Sequence, residues 1–232
     1  MPFLKTSFLD LLHLLFPATC KGCILPLVSG EILICSSCLH GLPYTDHHLN
    51  PDNLVARQFW GRIPCHAAMS MLFFKKAGTV QQLIHHLKYS DQPELGIRMG
   101  ILLGERLLSA PLYQGIDFLI PVPLHRKRLK KRGYNQSYCI AQGISQVLKV
   151  PISTQHLLRK MATDSQTSKG RLLRFENMST AFEIQHPEEL TNQHLLLIDD
   201  VLTTGATLEA CSIALLQARP EKISIATLAF VT

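Results

Sequence analysis

Two adjacent acids followed by a threonine-rich turn carry the most chemistry in this chain. Residues 195–207 read Leu195-Leu196-Leu197-Ile198-Asp199-Asp200-Val201-Leu202-Thr203-Thr204-Gly205-Ala206-Thr207. The apolar run 195–198 predicts a strand buried on both faces, and the pattern from Ala206 predicts a helix. A loop between a strand end and a helix N-terminus presents backbone N–H groups and a positive dipole end, which suits a phosphate monoester. Gly205 permits close approach of the backbone, while Thr203, Thr204 and Thr207 supply hydroxyl donors. Ionised Asp199 and Asp200 only accept hydrogen bonds, so they are expected to face donors, and the two hydroxyls of a ribose fit. An acidic strand end before a capped helix, or a Mg2+ site without a sugar, remain open as alternatives.

A second constellation is Cys20-x2-Cys23 with Cys35-x2-Cys38. Two residues between ligands let one tight turn aim both sulfurs at the same ion, and two such turns make a closed tetrahedral four-thiolate site. Such a site is structural and suits Zn2+, with iron as the rival metal and free thiols or a redox pair as the metal-free readings. The other three of the seven cysteines, Cys65, Cys139 and Cys211, lie scattered in apolar sequence. An odd total with two tight pairs fits a reducing compartment with one metal site better than a disulfide framework.

The third feature is a basic run. After Pro121-Val122-Pro123-Leu124 come Arg126, Lys127, Arg128, Lys130, Lys131 and Arg132, six cations in seven residues with no acid among them. A solvated face is the ordinary reading of such a run. At a strand end of an α/β sheet, however, it lies on the ligand edge and can neutralise pyrophosphate or follow a nucleic-acid backbone. Trp60, Phe73, Phe74 and Tyr89 are the aromatics available for stacking on bases, with Phe73 and Phe74 expected in the core.

These features need a scaffold, and the pattern supplies one. Helices are expected over 79–89, 97–108, 135–148 and 206–217, and strands over 118–122, 195–198 and 223–230. Helices alternating with buried strands imply an α/β fold with a mostly parallel sheet covered by helices on both faces. We divide the chain into an N-terminal module (1–42), a hood or connecting region (43–92) and the α/β core (93–232). Its 232 residues, 47% hydrophobic and 17% charged, are far from the disordered regime. A net charge of +6 suits anionic partners such as phosphates or nucleic acid. Residues 8–16 place Phe8, Leu11, Leu12, Leu15 and Phe16 on one helical face, which describes a packed helix. The run is too short to span a bilayer and lacks the features of a signal sequence, so no membrane insertion and a cytoplasmic location are expected.

Segment 195–207 resembles the signature by which type I phosphoribosyltransferases bind 5-phosphoribosyl-1-pyrophosphate (PRPP). The resemblance implies that Asp199 and Asp200 contact the ribose hydroxyls and that Thr203–Gly205, Ala206 and Thr207 hold the 5′-phosphate. The cysteine pairs, Leu87-Lys88-Tyr89, the run 121–136 and Arg159, Gln166, Arg171, Asn177 and Phe182 resemble the ComF family in order and spacing. That similarity covers nearly the whole chain and is weakest over 43–70. It implies a type I phosphoribosyltransferase-like core with Mg2+ beside PRPP, fused to a structural zinc module. Lys88, Arg126, Arg128, Arg132, Asn135 and Gln136 would then serve the pyrophosphate. The family is linked to natural competence, which implies single-stranded DNA and a competence helicase-type protein as partners. Two functions follow: a PRPP-binding protein supporting DNA uptake, or an active transferase with Asp199 and Asp200 in the catalytic role and an unidentified acceptor.

Overall fold

The computed structural model describes residues 17–89, 92–160 and 181–231. The helix expected over 8–16, and Gln166, Arg171 and Asn177, lie outside the described residues. In chain order, α1 (Ser36–His40) and α2 (Leu54–Arg57) precede β1 (Ala67–Phe74), α3 (Thr79–Tyr89) and α4 (Pro93–Leu108). Then come β2 (Phe118–Pro121), α5 (Arg126–Arg132), α6 (Gln136–Leu148) and the short antiparallel pair β3 (Leu157–Arg159) and β4 (Phe182–Ile184). The chain closes with β5 (His194–Leu202), α7 (Ala206–Leu215) and β6 (Lys222–Val231).

The central sheet has the order β1–β6–β5–β2, and every pairing in it is parallel. Mostly apolar runs form its middle because helices cover both faces, with the buried Ser224 and Thr227 of β6 the polar exceptions within its apolar stretch. Leu196 and Ile198 of β5 pack with Met99 and Leu103 of α4 and Ile140 and Ile144 of α6 on one face. Leu195 and Leu197 pack with Cys211 and Leu215 of α7 and with Phe59 on the other. Both sheet edges are occupied by irregular chain, which removes a template for aggregation. Thr45 N donates to Met71 O and Phe73 N to Pro43 O along β1, while Leu119 N donates to Pro151 O along β2.

Three features depart from the sequence pattern. Strand β1 lies within the stretch expected to connect the module to the core, yet it pairs with β6 from Ala67↔Ser224 to Phe74↔Val231. Strand β5 runs on to Leu202, so both acids lie inside the strand instead of beyond its end. The basic run, left out of the helices expected from the sequence, is the helix α5. His125 Nδ1 caps it by accepting from Lys127 N at 3.2 Å. Arg, Lys and Leu are good helix formers, and cations in the last turn oppose the negative end of the helix dipole.

Helices α4 and α6 cross at backbone contact. A Cβ on Gly100 would strike the Ile140 carbonyl oxygen, and one on Gly143 the Ile97 carbonyl oxygen. This crossing sets the start of α6, and with it Asn135 and Ser137, beside the C-terminal end of β5.

Candidate functional site

Successive residues of a strand point to opposite faces, so Asp199 and Asp200 enter different surroundings. Asp199 Oδ1 accepts from Ser137 Oγ at 2.9 Å and from the Asp200 backbone N–H at 2.9 Å. Burial, and then the Asp200 charge, raise the Asp199 carboxyl to about 7 despite these donors. Asp200, 9% exposed, meets Lys88 at the end of α3, with Nζ 3.0 Å from Oδ2. Tyr134 ties α3 in place, its hydroxyl donating to Leu87 O at 2.5 Å.

Beyond Leu202 the chain leaves the sheet. Val201 is half-buried and Leu202 fully buried, so Leu202 anchors the turn from below. Thr203 and Thr204 are exposed at its crest, and Gly205 takes a left-handed φ of +76° before Ala206 and Thr207 begin α7. The first N–H groups of a helix have no partner within it, which leaves this end of α7 suited to an anion.

A cavity of about 780 Å³ opens next to the acids, lined by Lys88, Tyr89, Arg128, Lys130, Lys131, Arg132 and Gly133. Lys88 belongs to both places, since it lines the cavity and pairs with Asp200. The Arg132 guanidinium lies 5.4 Å from the centre of the exposed Tyr89 ring. Arg126 and Lys127 are exposed on the same helix but do not line the cavity.

Asn135 and Gln136 do not line it either. Asn135 caps α6 by accepting from Ser137 N at 3.0 Å and donates to Val122 O at 3.0 Å. Gln136 is 2% exposed, and its Oε1 accepts from Arg132 Nη1 at 2.9 Å. Both therefore place their neighbours, Ser137 and Arg132. Ser137 carries no signal in the sequence, because a serine in the first turn of a helix says nothing about a contact 62 residues away. Arg159 stacks over Phe182 at 5.3 Å. Burial and then Arg128 lower its pKa, while Cys211 and then Asp199 oppose the shift.

The four paired cysteines come together as their spacing implied: one sulfur from each of Cys20, Cys23, Cys35 and Cys38 lies within 4.8 Å of the others. Burial pushes the Cys20 thiol up, but the N–H groups of Cys35, Gly22 and Cys23 outweigh it and bring Cys20 down to about 6. Burial and the neighbouring thiols push Cys38 the other way, up, so it is the clustering of four sulfurs, the donor set of a closed tetrahedral site, that fits a zinc module. Among the described residues, no helix is long and apolar enough to cross a membrane.

Residues 135–231 match the model of the phosphoribosyl transferase domain, a span running from the α6 cap through the acid pair to the last strand. The fold and this match define a phosphoribosyltransferase-type α/β protein carrying a four-cysteine module. DNA utilization protein YhgH of Shigella flexneri is 31% identical over 207 residues, covering 82% of this chain and 87% of that protein. Competence protein F of Haemophilus influenzae is 33% identical over 110 residues, 47% of this chain and 48% of its own. Competence protein ComFC of Bacillus subtilis is 28% identical over 99 residues, 43% of this chain and 38% of its own. The chain belongs to the ComF family.

Proposed function

We propose that the chain binds PRPP, or a closely related ribose phosphate, and uses that site in handling single-stranded DNA during natural competence. The observation that carries this reading is the adjacency of the acid pair, the Thr203–Thr204–Gly205 turn and a polycationic cavity, with Lys88 bridging acids and cavity. One ligand class matches all three: a 5′-phosphate for the turn, vicinal hydroxyls for the carboxylates and a pyrophosphate for the cations. Mg2+ would add charge neutralisation at the pyrophosphate oxygens, with Asp199 and Asp200 the carboxylates within reach. Lys88 is ion-paired with Asp200. Donation from a ribose hydroxyl to Asp200 releases Lys88 toward the pyrophosphate, so one side chain senses both halves of the ligand. In the cysteine module, Zn2+ would be held by Cys20, Cys23, Cys35 and Cys38 and would supply cross-links that so small a unit lacks.

The DNA role rests on the naming of the relatives and on the exposed cations of α5. Tyr89 and Trp60, 62% and 61% exposed, offer ring surface for stacking on bases, whereas Phe73 and Phe74 pack against the core. Calorimetry of the protein with PRPP and Mg2+ tests the central claim, and absence of binding sinks it.

A second reading, phosphoribosyl transfer, is favoured by the Lys88 bridge. A ligand held at both ends would place its anomeric carbon between acids and cations. There the C1–O bond to pyrophosphate breaks, its electron pair leaves with the pyrophosphate, and an acceptor atom bonds to C1. The cations would stabilise the charge that develops on the leaving group. Release of labelled pyrophosphate across a panel of bases and amines tests turnover, and no release with any acceptor leaves only the binding function.

A further inference from the structure

Residues 53–63, from the stretch where the family resemblance is weakest, end against the back of the phosphate turn. Asn53 fixes their start. Its Nδ2 donates to His47 O, Asn50 O and Ala68 O, and its Oδ1 accepts from Val55 N and Ala56 N to cap α2. The short helix delivers Phe59, wholly buried, beneath the turn: a Cβ on Gly205 would lie 3.2 Å from Phe59 Cε1 and 3.5 Å from Arg62 Nη1. Arg62 Nη1 donates to Thr204 O at 3.1 Å and to Gln58 O at 2.9 Å. Its Nη2 is bonded and ion-paired to Glu209 Oε2, an acid in the first turn of α7 that is only 7% exposed.

We propose that Arg62 is the positioning residue of the phosphate turn, holding the Thr204 carbonyl on the back so that the following N–H faces the ligand. The proposal rests on the ribose-phosphate reading above and deepens it. In a trans peptide the C=O and the next N–H point in opposite directions, and the described residues contain no cis peptide. Fixing the Thr204 oxygen behind the turn therefore turns the Gly205 N–H forward and removes a carbonyl that would repel an anion. Gly205, at φ +76°, supplies the conformation this demands. Glu209 balances the guanidinium charge, and both terminal nitrogens of Arg62 are already committed to protein oxygens. Arg62 thus acts through the turn and not as a phosphate ligand. Glu209 N also donates to Gly205 O at 2.9 Å, so the carbonyls of Thr204 and Gly205 are both withdrawn from the mouth.

The test compares Arg62→Met and Arg62→Lys with the unmodified protein by calorimetry, using ribose 5-phosphate, PRPP with Mg2+, and pyrophosphate as separate probes. Trp60, the chain's single tryptophan, sits two residues from Arg62 and gives a fluorescence signal for events at the turn. Loss of the charge-assisted tie to Thr204 O, with those to Gln58 and Glu209, should weaken ribose 5-phosphate and PRPP about tenfold in Arg62→Met. Pyrophosphate, which meets the basic cavity, should bind within about twofold of its original affinity, since it makes no use of the turn. Arg62→Lys should recover part of the loss, and it carries the comparison if the methionine variant does not fold. Unchanged ribose 5-phosphate affinity, or an equal loss for pyrophosphate, overturns the proposal while leaving the ribose-phosphate reading intact. No binding of either ribose phosphate by the unmodified protein removes that reading and this one together.

Discussion

Asp199 holds its proton to about pH 7 because burial and the Asp200 charge disfavour its ionised form more than Ser137 and the Asp200 N–H favour it. Two consequences follow, of opposite sign. A carboxylate must be ionised to accept fully from ribose hydroxyls or to meet Mg2+, so affinity for PRPP should rise about tenfold from pH 6 to pH 8. Asp199→Asn should flatten that rise, and Asp199→Asn with Asp200→Asn should abolish binding; calorimetry at several pH values reads both. Stability runs the other way. The folded state holds this proton more tightly than the unfolded chain, so stability is lost as pH climbs from the ordinary value of 3.8 toward about 7. Asp199→Asn should therefore melt higher than the unmodified protein at pH 8, by roughly 3 °C or more, and scanning calorimetry checks it. The sequence made both acids visible as a pair, but their different partners, Ser137 and Lys88, come from α6 and α3 and leave no trace beside Asp199.

Helix α5 lines the cavity with Arg128, Lys130, Lys131 and Arg132, while Arg126 and Lys127 are exposed outside that lining. If it follows a single-stranded DNA backbone, binding should weaken steeply with salt, with a log–log slope of roughly −0.7 per phosphate contacted. Replacing Lys127, Lys130 and Lys131 by Ala should flatten that slope by up to about two units, read by fluorescence anisotropy at several salt concentrations. An unchanged slope with lost PRPP affinity would end the nucleic-acid role of α5. The α4–α6 crossing makes a separate demand. Gly100→Ala should destabilise the fold by about 3 kcal/mol, because its Cβ meets backbone that cannot move aside as a side chain would. A denaturant midpoint within error of the unmodified protein would refute it. The periodicity made both helices legible, whereas nothing in it named the residues where their backbones touch.

At the scale of the whole molecule, the cysteine module rests on the core through the first turn of α3. A Cβ on Gly22 would come 2.7 Å from Thr79 Cγ2. The helix that bears Lys88 at its far end thus begins against the module. Cys20→Ser should leave an open three-thiolate site and release the metal, read as the loss of about one equivalent of zinc by elemental analysis. Unmodified protein purified without chelator and found to contain neither zinc nor iron would remove the metal centre. The sheet spans the chain in the same way, since β1 pairs with a strand that begins at Lys222. A connecting stretch read as 43–92 therefore contributes an edge strand, and no local pattern announces a partner so far along the chain.

Motifs whose members lie within a few residues were determined by the sequence itself. The two cysteine pairs, the acid–threonine–glycine turn and the alternation of helix with buried strand need only local spacing and local backbone preference, and they led to the ComF family. Tertiary structure decided everything that depends on elements meeting. It set Ser137 on Asp199, Lys88 on Asp200 and Arg62 behind Thr204, and committed Asn135 and Gln136 to capping and support. It also made a helix of the basic run, which high propensity permitted but a row of charges broken only by Leu129 disguised. Side-chain contacts between distant segments are selected by packing and by the satisfaction of buried polar groups, and neither is written into the order of neighbouring residues.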